Sequence, residues 1–300
     1  LAAVTCAFSA LSYSELASSI PVSGSAYTYA YATLGELLAW IIGWDLILEY
    51  LFGASTVAVG WSGYFTAFLA ELGIKIPESL SSAPVALVDG HLQATGAILN
   101  IPAVVLILLM TTLLVIGIQE SARINVFLAV ADFATQLLLV LLGFILVFSP
   151  AVLKANVQLG VAPTWSSFFL SIPIAMLAYT GIETVSNLSE EARDPLRTIP
   201  RAVLFVAIAV FAIYFTLPWV ALSAMPVHHV AGEYKTLLAL PPTEHFQGQH
   251  GYQNDPVLGL VNNLGITSTT VTHALRIYLG ILASTILFIG ANAGVIGASR

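Results

Sequence analysis

Charge is what this sequence has least of. Only 8% of its 300 residues are Asp, Glu, Lys or Arg, against about 25% in an ordinary soluble domain. That is too little polar material to cover a soluble surface of this size, so a soluble globular protein is excluded. Basic residues are the scarcer sign, nine Lys and Arg against sixteen acidic residues. No basic run is present, which argues against nucleic acid as a partner. Cysteine occurs once, at Cys6, so no intrachain disulfide can form. The six histidines have neither the helix spacing nor the thiol partners of a zinc site. No metal and no cofactor are expected. An enzyme is not expected either: Cys6 has no partner nearby, Ser and Thr lack an obvious base, and of the histidines only His273 touches the edge of an apolar run. No start methionine and no signal-peptide pattern open the chain, and apolar runs reach both ends, as in a fragment of a longer protein.

What is abundant is apolar sequence, 58% of residues, arranged in long runs. Runs long enough to cross a bilayer core of about 30 Å are read at 1–20, 36–68, 98–118, 126–148, 167–188, 202–224 and 276–299. The 36–68 run exceeds that thickness and is expected to tilt or bend. Tyr27, Tyr29 and Tyr31 suit an interfacial helix between the first two spans. If the spans alternate, Arg123, Arg193, Arg197, Arg201 and Arg300 share one side and Lys75, Lys154 and Lys235 the other. The arginine-rich side is then cytoplasmic, and the polar loop 225–273 is extracytoplasmic. The expected class is a single all-α transmembrane domain, multi-pass in the cell membrane.

The run from Ser167 to Pro200 carries the most information. It starts as an apolar helix and meets Tyr179-Thr180-Gly181 near its middle, then ends in the charged turn Glu190-Glu191-Ala192-Arg193-Asp194-Pro195. Lipid cannot satisfy freed backbone groups, so a membrane helix loosens at depth where those groups line a site. Gly181 permits the departure from helical geometry. A kink that only aids packing is the alternative. Elsewhere, Asp45 and Glu49 lie four residues apart on one helix face. Two carboxylates in an apolar span repel when both are ionised and desolvation also favours the neutral form, so at least one is expected to carry a proton. Proton coupling and a hydrogen-bonded structural pair both fit them. Asp132 and Gln136 repeat the spacing. A carboxylate binding sodium or a proton, or an Asp–Gln hydrogen bond for packing, would explain them, and the second is favoured.

Three stretches taken together resemble the amino acid-polyamine-organocation transporters, and most closely their cationic amino acid transporter branch. The first is Tyr13-Ser14-Glu15-Leu16-Ala17 with Ile20 to Tyr29 and Gly43 to Tyr50. The second is Ala178 to Glu183 running into Glu190 to Pro195 and Ile199-Pro200. The third is Asn292 to Arg300. The resemblance implies an inverted-repeat (LeuT-like) amino acid permease fold, incomplete here, with the chain covering the family's second to eighth helices. It implies that Ala178, Tyr179, Thr180, Gly181, Ile182 and Glu183 bind the substrate's carboxylate and ammonium. Glu183 could steer a cationic substrate or close an inner gate; a plain helix-terminus carboxylate is the other reading. Leu177 and Ile182 stand where the family often has an aromatic lid, and Asp132 where the branch often has a lysine. The implied function is secondary active transport of amino acids, with cationic amino acids or polyamines in view, by alternating access. The implied partners are the lipid bilayer, an amino acid and a coupling ion, a proton rather than sodium. A non-transporting membrane subunit or sensor that keeps the fold is the alternative.

Overall fold

The computed structural model describes the chain apart from residues 1, 21, 23, 89–90, 117–121, 162, 178–180, 182–184, 186–193, 231–232 and 300. It is predominantly helical. In chain order the helices are α1 (Ala2–Ser19), α2 (Ser25–Leu34), α3 (Glu36–Glu71), α4 (Ile101–Ile116), α5 (Ala122–Leu146), α6 (Pro150–Asn156), α7 (Trp165–Leu177), α8 (Pro195–Ala224), α9 (Pro256–Asn262) and α10 (Thr269–Ser299). Among the described residues four stretches are long and apolar enough to cross a membrane: Glu36–Glu71, Val126–Leu146, Leu196–Ala224 and Thr269–Ala291. Ile101–Ile116 and Trp165–Met176 are apolar but shorter. With 36 residues at about 1.5 Å each, α3 is longer than a bilayer core is thick.

The chain divides into two compact units. The first comprises Leu1–Ala54, Pro163–Tyr214 and Asn292–Arg300, the second Ser55–Ala162 and Phe215–Ala291.

In the first unit α1 packs against α2 and α7. Ala10, Ala17, Tyr29, Ile199 and Val203 form its buried cluster, with Tyr13, Leu16, Ile20 and Val185 against it. Small alanines let helices approach closely, and in lipid close packing replaces water exclusion as the cohesive force. The three tyrosines of α2 divide. Tyr27 and Tyr31, four apart, are exposed, their rings tilted to each other with centroids 6.3 Å apart. Tyr29 points the other way, is buried, and meets Tyr13 edge-on at 6.4 Å. Helical periodicity sends alternate residues to opposite faces, so Tyr29 is a packing residue rather than an interfacial one.

In the second unit one cluster joins Leu139 of α5, Val220 of α8, Leu260 and Val261 of α9, and Leu279 of α10. Another joins Ala58 of α3, Ala103, Leu106 and Met110 of α4, and Ala291 of α10. Polar bonds pin these helices together. Ser62 donates to Asn100 Oδ1 at 2.7 Å, the Trp61 indole donates to the Ser284 carbonyl at 2.8 Å, and the Thr135 and Tyr278 hydroxyls lie 2.7 Å apart. Asn100 Oδ1 also accepts from the Ala103 N–H at 3.1 Å, so it caps the start of α4. A side chain on Gly143 of α5 would overlap Val220 Cγ1, and Val220 is fully buried. Gly143→Ala is therefore expected to destabilise the protein by about 1–3 kcal/mol through overpacking. Thermal unfolding in detergent measures it.

The loops that read as polar and featureless in the sequence contain small hairpins. β1 (Val85–Val88) pairs antiparallel with β2 (His91–Ala94), β3 (His228–Val230) with β4 (Glu233–Lys235), and β5 (His245–Phe246) with β6 (Gln249–His250). Gln247 and Gly248 both take positive φ, 52° and 79°, as a tight two-residue hairpin turn requires.

Candidate functional site

Helix α7 is described as far as Leu177 and carries Pro173 inside it. Pro173 removes one helical hydrogen bond and weakens the segment ahead of its end. Gly181 lies in a turn with φ 114°, a left-handed backbone that L side chains resist. Val185 is helical again and packs on the α1–α8 cluster. The main chain thus leaves helical geometry at Gly181, between two helical positions of one apolar run. Ala178, Tyr179, Thr180, Ile182 and Glu183 lie outside the described residues.

On α3, Asp45 is exposed and Glu49 half-buried, beside Trp40 and Trp44, whose rings meet edge-on at 6.3 Å. On α5 the Gln136 amide donates to Asp132 Oδ2 at 2.6 Å, both side chains half-buried. That bond runs along one helix and occupies one carboxylate oxygen. The neighbouring Thr135 hydroxyl, not Asp132, makes the link to Tyr278 on α10.

A second constellation escaped the sequence reading. Glu71, the last residue of α3, holds Arg276 Nη1 at 3.2 Å and His273 Nδ1 at 2.6 Å. Arg276 also donates through Nε to Asn262 Oδ1 at 2.6 Å. The Asn262 amide donates to the Tyr252 hydroxyl at 3.0 Å, which donates to Gln249 Oε1 at 3.1 Å. Asp255 precedes Pro256 at the start of α9 and is 4% exposed. The Tyr64 hydroxyl accepts from the Val257 N–H at 3.1 Å, and Asn254 lies against Gly60 and Gly63. Together these seat the α9 segment on α3. The sequence signal was available for one member: Asp-Pro before an apolar run marks a helix start. The ion pairs join residues too far apart in sequence for spacing to reveal them.

Burial pushes the Asp255 carboxyl up to about 7. Burial also lowers His250 and raises Tyr252. With its folded value above its unfolded one, Asp255 binds its proton more tightly in the folded state. Its contribution to stability is full below pH of about 4 and is lost as pH rises toward about 7.

Two cavities adjoin this region. One, of about 440 Å³, is lined by Ser55, Thr56 and Gly60 of α3 and by Thr95 and Gln253. The other, of about 500 Å³, is lined by Thr66 and Glu71 of α3, and by Lys75, Glu78, Asp255 and Arg276. Ser82, Pro242 and Asn254 border both.

The amino acid permease family profile matches residues 1–300. The branched-chain amino acid permease BcaP of Bacillus subtilis is 40% identical over 232 residues, 77% of this chain and 48% of that protein. The methylthioribose transporter of the same organism is 38% identical over 234 residues, 75% and 46% of the two chains. Human cationic amino acid transporter 4 is 31% identical over 231 residues, 76% and 35%. The chain thus spans about half the length, or less, of these relatives. The chain belongs to the amino acid permease family, a multi-pass membrane protein with that family's inverted-repeat helical fold.

Proposed function

We propose that the protein carries amino acids or closely related amines across the cell membrane by alternating access, as a carrier and not as an enzyme, with proton coupling. The observation that carries this reading is the positive-φ turn at Gly181 inside an apolar run. A main chain that departs from helical geometry there, with the partial charges of the flanking helix ends, suits a carboxylate and an ammonium on one small molecule. Ala178 to Glu183 are the proposed cradle, and Leu177, which ends α7 just before them, is proposed to act in gating. The relatives named for branched-chain and cationic amino acids support the substrate class. Asp45 and Glu49 are the proposed proton carriers, because ionisable residues in a span are functional by default. Asp132, already bonded to Gln136, takes a secondary part in coupling or gating.

Uptake of radiolabelled leucine and arginine into proteoliposomes holding the full-length protein tests the reading, with pH and sodium varied separately. Uptake driven by an inward proton gradient and indifferent to sodium is expected. Glu49→Gln should abolish the response to the proton gradient in a protein that still folds. A variant that keeps the parent pH dependence removes Glu49 from the mechanism.

A further inference from the structure

The cavity of about 500 Å³ beside α3 and α9 has an unbalanced lining. Three carboxylates border it, Glu71, Glu78 and Asp255, against the cations Lys75 and Arg276. Glu71 is consumed by Arg276 and His273. Lys75 and Glu78 are exposed, so they stand at the mouth. Asp255 is buried, and its Oδ1 has no hydrogen-bond partner among the described residues. His250 does not supply the missing charge, since burial favours its neutral form. The hydroxyl of Tyr252 is already engaged on both sides, and its ring lies 4.6 Å from that of His250. A buried acceptor without a donor is costly and selects for one. A solute anion would meet Glu78 and Asp255 and be repelled. Among the described residues no group of His, Cys, Asp and Glu is arranged to hold a metal ion. What the hollow lacks is a compact cation that carries N–H donors.

We propose that this cavity is a second binding site, for the ammonium group of a small primary amine, with Asp255 as its counter-ion and Glu78 drawing it in at the mouth. The site rests on the transport reading for its purpose, since amino acids and polyamines share that group, but binding is measurable without transport. The groups facing Asp255 are Tyr64 and Glu71 from α3, Lys75 and Glu78 from the segment after it, His250 and Tyr252 from the β6 side, and Arg276 from α10. A bound cation favours the ionised carboxylate. The amine therefore lowers the pH at which Asp255 gives up its proton, and binds more tightly as pH rises through that point.

Infrared difference spectra of the full-length protein in nanodiscs follow the protonated-carboxyl band against pH, in n-butylammonium chloride or in tetramethylammonium chloride at equal ionic strength. Butylammonium is expected to move one carboxyl midpoint down by about one pH unit, a tenfold change. Tetramethylammonium, which has no N–H, leaves it in place. Asp255→Asn lacks the shifting band. If that variant does not fold, Asp255→Glu, which keeps the charge, must displace the band's frequency. Equal midpoints in the two salts overturn the site, as does a shift that persists in Asp255→Asn or a band unmoved in Asp255→Glu. Leucine uptake is measured on the same unaltered protein reconstituted into proteoliposomes. No uptake with the shift intact removes the transport reading and leaves the site. Uptake without the shift does the reverse.

Discussion

Gly181→Ala in the full-length protein is expected to cut amino acid uptake by about ten- to a hundredfold while leaving its amount in the membrane unchanged. At φ 114° an L side chain is strained by about 1–3 kcal/mol, and each 1.36 kcal/mol taken from the working conformation is about a factor of ten in rate. No described atom lies within 4 Å of where the new methyl group would sit. That separates the two readings of this glycine. If it only allowed close packing, a methyl with no described atom near it would cost little. If it sets a non-helical backbone, the same methyl is costly through φ alone. Proteoliposome uptake normalised to protein reads the result, and activity within a factor of two of the parent would assign Gly181 to packing.

Gly251→Ala is expected to be the most disruptive single methyl group in the 225–273 loop. A Cβ there would overlap the Leu240 carbonyl, with the Pro241 carbonyl oxygen at 2.5 Å. Both are main-chain atoms and cannot swing aside as a side chain can. The surrounding bonds are short: the Gly251 N–H donates to Glu244 O at 2.9 Å, and the Tyr252 N–H to Leu237 O at 2.7 Å. The expected loss is about 3 kcal/mol, the upper end for overpacking, read as a lower melting temperature and faster proteolysis within the loop. Gly53→Ala on α3 is the matched control, since no described atom lies within 4 Å of its added methyl. Equal melting of the two variants would refute the account of Gly251.

The helices were legible in the sequence because apolar runs of membrane length have few other uses. The break was legible because glycine and polar residues interrupt one such run at Gly181. The four-residue spacing of Asp132 and Gln136 announced a pair that the structure closes at 2.6 Å. The hairpins were not legible: strands of two to four residues are too short to show alternation. The helix starts read at 202 and 276 were late for the same kind of reason. Polar first turns, as at Thr269 to His273, do not register as part of an apolar run. Glu71 read as loop, although it ends α3 and anchors Arg276 across 205 positions of chain. Contacts of that range have no local pattern to betray them.

The fit of Val220 against Gly143 makes these two positions a compensating pair. Neither can grow alone, but Gly143→Ala combined with Val220→Ala trades one methyl's bulk for the space of two. The double variant should recover part of the stability that Gly143→Ala loses. A lineage that trims position 220 first is expected to accept a larger residue at 143 at lower cost, so a single point of contact biases the order in which substitutions accumulate along α5 and α8.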